Sequence, residues 1–227
     1  MQDPWWPIRS FILSFNERRV KHVKPGHTIV CDECMSAWKG SDGKYKMNGC
    51  PHKTKIARKP EGVGCELKSA ADGMSGIILQ LELMEGSEAQ SKKPGHAEYG
   101  EGTSQLLRLC APWRGTARTI IADSAFSSVK SLLALLDQGL YFMGMVKTAT
   151  KEYPKKQFLQ WASGNGTSPT PNRGSHKLLQ SIAPDGSKII ACVWVDKKPK
   201  TIICNRYTAY PGIPSERLCH IIHLVDG

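Results

Sequence analysis

Apolar residues along this chain recur at two alternating spacings. Ile8, Phe11, Ile12 and Phe15 are helically spaced and predict a short amphipathic helix over Pro7–Arg19. Val20–Pro25 reads as a basic connector. His27–Glu33 (HTIVCDE) is then a β-branched run closed by an aspartate, the pattern of a buried strand delivering a charge at a sheet edge. Lys39–Lys59 holds seven basic residues and one acid among Gly and Pro, so it reads as an irregular loop. Cys65–Ala71 and Gly76–Met84 are extended segments around Asp72-Gly73, a hairpin signal. Residues 86–102 are polar and read as an exposed loop, and Thr103 as the N-cap of a short helix through Leu106, Leu107, Leu109 and Cys110, ended by Pro112.

Arg118–Asp123 (RTIIAD) repeats the strand-to-aspartate pattern. Phe126, Val129, Leu132, Leu133, Leu135 and Leu136 predict a helix with Gly139 just past its end, and Leu140–Val146 an apolar strand. A short helix follows at Lys155–Ala162, and Ser163–Gly174 is flexible in composition. The remainder reads as strands at His176–Ile182, Lys188–Asp196, Thr201–Tyr207 and Leu218–Val225. The order argues for a mixed α/β sheet with crossovers, followed from about residue 150 by a second, β-rich unit.

Composition sharpens this picture. The 227 residues are 40% apolar, enough for a core, while 31 Lys+Arg against 20 Asp+Glu give a net charge of +11. That excess favours DNA or another polyanion through phosphate attraction, although charge alone is equally compatible with a basic protein lacking such a partner. No apolar stretch is long enough to span a bilayer, and no membrane partner is expected. The N-terminus lacks a secretory pattern. Eight sparse cysteines fit reduced thiols in a cytosolic or nuclear protein.

The chemistry starts from the two aspartates, Asp32 and Asp123, 91 residues apart. Two acids at the ends of neighbouring parallel strands can share a divalent metal ion near nucleic acid, because Mg²⁺ takes one or two carboxylates together with phosphate oxygens. Either aspartate could instead start a turn, and Asp123 could cap the following helix. A competing constellation, Cys31 and Cys34 with Cys50 and His52, has loose zinc spacing, but Cys31 and Cys34 would face opposite sides of a strand. The six tryptophans are scattered and read as packing anchors rather than a base-stacking platform. His220 and His223 would face opposite sides of a strand.

These motifs, taken in order, resemble piggyBac-type transposases. His27–Trp38 (HTIVCDECMSAW) is similar to the segment holding that family's first catalytic aspartate. Lys59-Pro60 with Gly62 or Gly64, then Lys68 and Asp72-Gly73, are similar to the stretch after it. Thr119–Leu133 (TIIADSAFSSVKSLL) resembles the second-aspartate strand and its helix, and Leu140–Lys147 with KKQFLQW keeps the order. The resemblance covers most of residues 5–162.

It implies a ribonuclease-H-like mixed sheet with flanking helices, interrupted by a β-rich insertion domain. Residues 1–26 would be an N-terminal helix and connector, 27–149 a partial catalytic core, and 150–227 a partial insertion domain. It implies metal-dependent DNA cleavage and strand transfer, with Asp32 and Asp123 holding Mg²⁺ or Mn²⁺. Lys39, Lys53, Lys55, Arg58, Lys59 and Lys68 would face DNA phosphates. A nuclear location and a homodimer are further expectations. The family's third aspartate follows its insertion in a glycine-rich stretch, whereas Asp226 here ends a strand-like run and reads as a turn acid. The expectation is therefore a fragment without the core's last helices and with impaired activity. The alternative is a domesticated, non-catalytic DNA- or chromatin-binding protein.

Overall fold

The structure, a computed structural model, describes residues 3–40, 49–57, 59–147, 151–164, 169–183 and 185–206. In chain order the elements are α1 Trp6–His22, β1 Thr28–Ala37, β2 Thr54–Lys55, β3 Val63–Asp72, β4 Ile78–Leu83, α2 Ser87–Ser91, α3 His96–Tyr99 and α4 Glu101–Cys110. They continue with β5 Thr119–Ala122, α5 Val129–Asp137, β6 Tyr141–Met145, α6 Lys155–Ser163, β7 His176–Ile182, β8 Lys188–Val195 and β9 Pro199–Cys204. The strands form one mixed sheet in the order β2-β3-β1-β5-β6-β9-β8-β7, with β4 also paired to β3. The expected α/β class is borne out.

Period-two alternation sorts the central strands into two faces. Ile29, Cys31, Ile120, Ala122 and Phe142 are buried on one face, where Leu106, Leu109 and Cys110 of α4 and Leu132 and Leu135 of α5 join the same cluster. Each fully buried side chain of this size contributes about 1.5–3 kcal/mol. The opposite face carries Val30, Ile121 and Met143, which are only half-buried. Strands β5 and β6 run parallel on either side of the crossover helix α5, a βαβ unit.

The far edge of the sheet is closed by a side chain. Asn16 of α1 donates from Nδ2 to the Leu81 carbonyl and accepts the Leu81 N–H at Oδ1, both at 2.8 Å. A helix side chain thus replaces the neighbour that part of β4 lacks, which blunts an edge otherwise open to strand addition.

The hairpin, α1, β7 and Gly139 match the pattern reading; Gly139 adopts φ 68° after α5. Three local expectations fail for tertiary reasons. Residues 86–102 hold the helices α2 and α3 and the start of α4 rather than a loop. Their polar groups are spent inside the protein: Lys93 donates to the Leu83 carbonyl at 2.7 Å and pairs with Glu82 and Glu85, while Gln90 is buried. Thr103 is no N-cap, because α4 begins at Glu101 and the buried Thr103 hydroxyl meets Ser131 Oγ of α5 at 2.8 Å. Phe126 precedes α5, whose cap is Ser128, its Oγ accepting the Ser131 N–H at 2.9 Å.

The β-rich segment is an antiparallel meander that meets the rest of the sheet where β9 pairs with β6, through Met143↔Cys204, Gly144↔Ile203 and Met145↔Ile202. Of the tryptophans expected to anchor packing, Trp5 and Trp113 are buried, but Trp6 and Trp194 are largely exposed. The strand expected at Leu218–Val225, with His220 and His223, lies outside the described residues.

Candidate functional site

Strands β1 and β5 are parallel, and their register runs from Thr28↔Thr119 to Cys31↔Ala122. The next position on each chain is an aspartate. Asp32 and Asp123 therefore stand level on adjacent strands, whose backbones are about 4.8 Å apart. Asp123 follows the last residue of β5, whereas β1 runs past Asp32 to Ala37 and pairs Asp32 with Ser69 of β3, so the expected strand end at Asp32 is not there. Alternation places both on the half-buried face with Val30 and Ile121. Asp32 is exposed and Asp123 half-buried.

Each carboxylate is engaged by backbone alone. Asp32 Oδ1 accepts the Glu33 N–H at 2.7 Å, and Asp123 Oδ1 accepts the Ala125 N–H at 2.8 Å. Among the described residues no lysine or arginine forms an ion pair with either, so both keep acceptor capacity facing outward. The loop after Asp123 is fixed by Ser127, whose hydroxyl lies 2.6 Å from the Asp123 carbonyl and 3.2 Å from that of Ala122. That placement requires Gly144 on β6: a Cβ there would lie 2.1 Å from Ser127 Oγ. The turn reading of Asp123 is thus partly right, since its carboxylate does hold an Asx turn at the strand end.

Behind this edge, on the covered face, lies the network in which sequence reasoning misplaced two lysines. Lys68 is buried, 6% exposed, with Nζ 2.6 Å from Glu66 Oε1 and 3.6 Å from Glu33 Oε2. It also lies over the Phe126 ring, 5.3 Å from the centroid. Lys59 Nζ donates to the Glu33 carbonyl at 2.7 Å. Lys68 therefore does not present its amine to an outside phosphate, and Lys59 is committed to the strand edge. β3 buries every second residue, Glu66, Lys68 and Ala70 among them. The sequence points the other way, since Cys65, Leu67 and Ala71 form the more apolar set, and only the pairing of Lys68 with Glu66 and Glu33 turns it inward.

Lys39, Lys53 and Lys55 are exposed, Lys39 in an ion pair with Glu61 at 2.8 Å and Lys55 on β2. The Lys39 pair is exposed and so readily exchanged. Arg58 and Asp226 lie outside the described residues.

The zinc constellation does not assemble. Among the described residues no three His, Cys, Asp or Glu side chains are grouped to hold a metal ion. Cys31 is buried against Cys110, Sγ to Sγ 3.8 Å, on the face opposite Cys34, and Cys50 Sγ donates to the His52 carbonyl. Burial pushes the Cys65 thiol up to about 11 and raises Cys34 as well, which keeps both protonated at neutral pH.

The same finding bounds the carboxylate site: Asp32 and Asp123 are a pair, without a third ligand among the described residues. Two outward-facing carboxylates suit a hard, oxygen-preferring divalent ion that retains water and takes phosphate oxygens. They do not by themselves make a closed cage.

A family model described as Transposase IS4 matches residues 1–217. The chain belongs to this transposase family. A piggyBac transposase, seen by cryo-EM in a synaptic complex with hairpin DNA, superposes with a TM-score of 0.71 at 19% identity, covering 92% of this chain and 40% of that one. The transposase chain described here thus shares that protein's ribonuclease-H-like fold and spans about 40% of its length. The resemblance read from the motif order is borne out in family and fold. Endonuclease V from Ciona intestinalis, bound to inosine-containing DNA, aligns over 87% of the chain at 9% identity with a TM-score of 0.33, a likeness too weak to carry weight. No curated protein matches the chain by sequence. Among the described residues no helix is long and apolar enough to cross a membrane.

Proposed function

We propose that this chain supplies the phosphodiester-cutting edge of a DNA transposase, with Asp32 and Asp123 as its first two metal-binding acids. One observation carries the reading: a parallel register that ends level, so that two acids 91 residues apart in sequence emerge side by side on the open face of one sheet. The family match and the fold shared with a transposase solved on DNA support it. Asp32 and Asp123 would hold Mg²⁺ or Mn²⁺. Held there, a divalent ion would supply polarisation of a phosphodiester and activation of the attacking water or 3′-hydroxyl. The chain's own part is positional: the β1–β3 pairing holds Asp32, the end of β5 and the Ser127 hydroxyl hold Asp123, and the exposed lysines at 39, 53 and 55 attract the DNA backbone. The β7–β9 meander corresponds to the insertion unit, and nuclear location and dimerisation go with the same reading.

The test is cleavage of duplex DNA in Mg²⁺ or Mn²⁺, comparing the parent protein with Asp32→Asn and Asp123→Asn. Both substitutions should abolish metal-dependent nicking without unfolding the protein. Nicking that survives Asp123→Asn would remove that residue from the chemistry.

The absence of a third acid beside the pair, among the described residues, favours a second reading: a DNA- or chromatin-binding protein without catalysis. It predicts binding that weakens steeply with salt, no nicking in any metal, and indifference to both aspartate substitutions.

A further inference from the structure

The β1–β5 ladder stops at Cys31↔Ala122, one residue short of the aspartates. Backbone pairing between these strands therefore does not reach the two carboxylates. Asp32 itself is fixed to β3 by pairing with Ser69, so its separation from Asp123 depends on what ties β3 and β1 to the loop that follows β5. Lys68 is placed to do this from the back of the sheet. Its amine pairs with Glu33, the residue after Asp32, and with Glu66, and it sits over the ring of Phe126, three residues after Asp123. Glu33 and Lys68 are directly opposed across β1 and β3, and Lys59 adds a bond to the Glu33 carbonyl.

We infer that Lys68 is a positioning residue for the metal-binding pair, a clamp that fixes Asp32 relative to Asp123 from the buried face. The inference rests on the proposed metal-binding role of the two aspartates. The amine itself touches neither carboxylate in the hydrogen-bond or ion-pair sense, and acts through Glu33 and Phe126. Its burial makes the contacts stiff, because an ammonium at 6% exposure is held by its two acids and cannot relax into water.

Charge and geometry predict opposite results when Lys68 is replaced, which makes the inference testable. Removing a positive charge behind two carboxylates should tighten cation binding if Lys68 acts only through its field. Loosening the clamp should weaken it, as loss of supporting contacts commonly costs metal sites about tenfold or more.

The experiment is Mn²⁺ binding to the whole chain by electron paramagnetic resonance, in the parent, Lys68→Met, Lys68→Arg, Phe126→Leu and Asp123→Asn proteins, with folding checked by circular dichroism. The clamp predicts binding weakened about tenfold in Lys68→Met and restored close to the parent value in Lys68→Arg. If Lys68→Met does not fold, Phe126→Leu carries the test, because it removes the ring and leaves both ion pairs. It should then weaken Mn²⁺ binding several-fold. Unchanged or tighter binding in whichever of these variants folds overturns the clamp. A parent protein that binds no Mn²⁺, or an Asp123→Asn protein that binds it as the parent does, overturns the metal-site reading and the clamp with it. That pattern is distinct from failure of the clamp alone, in which Asp123→Asn loses the ion and the Lys68 and Phe126 variants keep it.

Discussion

Asp32 and Glu33 are consecutive residues on one strand, yet they belong to two different environments. Glu33 points to the covered face, where Lys68 and Lys59 answer its charge and α4 and α5 close over the neighbouring apolar residues. Asp32 points to the other face, where among the described residues its carboxylate is engaged only by the Glu33 N–H. The pleat alone separates them. The same contrast recurs on β5, where Ile120 and Ala122 are buried while Ile121 and Asp123 are half-buried. The larger core cluster lies on one face; the other presents the two acids and, over β3 and β4, carries only the smaller cluster of Trp5, Ile12 and Leu83. Among the described residues no lysine or arginine pairs with Asp32 or Asp123, and a cation can therefore compete for them.

The contrast can be broken most forcefully from the covered side. Phe142 is fully buried at the centre of the core cluster, so Phe142→Ala should destabilise by about 3–5 kcal/mol in urea unfolding. Met143, its neighbour on the other face, should cost well under half as much when truncated to Ala. Equal losses at the two positions would mean that the faces are not different.

Gly144→Ala probes the junction of the two faces. The added methyl would meet Ser127 Oγ at 2.1 Å and displace the hydroxyl that holds the Asp123 carbonyl. A loss of about 1–3 kcal/mol is expected, and combining it with Ser127→Ala should recover part of that. Additive losses in the double variant would rule out this contact as the cause.

Asp72 tests the β3–β4 hairpin turn, which it also ties to the segment before β1 through Gly26. Its carboxylate accepts the Ser75 hydroxyl and the N–H groups of Ser75 and Gly26, which lower its pKa from the ordinary value to about 2. A carboxyl with a depressed folded-state pKa contributes stability above its unfolded pKa of about 3.9, and that contribution is lost as pH falls through about 2. The Tm of the parent should thus drop between about pH 4 and pH 2 more than that of Asp72→Asn, which lacks this titration. Parallel curves would place the acid sensitivity elsewhere.

The smallest effect on stability is expected where the effect on function is largest. An asparagine at 123 can still accept the Ala125 N–H, so Asp123→Asn should shift stability by no more than about 0.5 kcal/mol while abolishing metal-dependent nicking. A large loss of stability would recast Asp123 as a structural turn acid.

The two acids of the proposed site were legible in the sequence. β-branched residues running up to an aspartate describe a buried strand, and two such runs were enough to select Asp32 and Asp123. The run marks the strand's end at Asp123 but not at Asp32, where pairing with β3 carries β1 on to Ala37. The helix over Val129–Asp137 was legible from its leucine stripe, and the hairpin from Asp72-Gly73. Local patterns failed where a side chain answered to a distant partner. Thr103 looked like a cap because its sequence neighbours permit one, but Ser131 claimed its hydroxyl. Residues 86–102 looked solvated because they are polar, but Glu82 and Glu85 took up Lys93.

The sequence by itself determined the alternation of elements, the basic surface and the two acids, because periodicity and composition are properties of neighbours along the chain. Only the tertiary structure decided that β1 and β5 lie side by side in a register that ends level, and that Lys68 turns inward to two glutamates. Strand adjacency and register are set by which apolar faces bury together across 91 residues, and no local pattern encodes that distance.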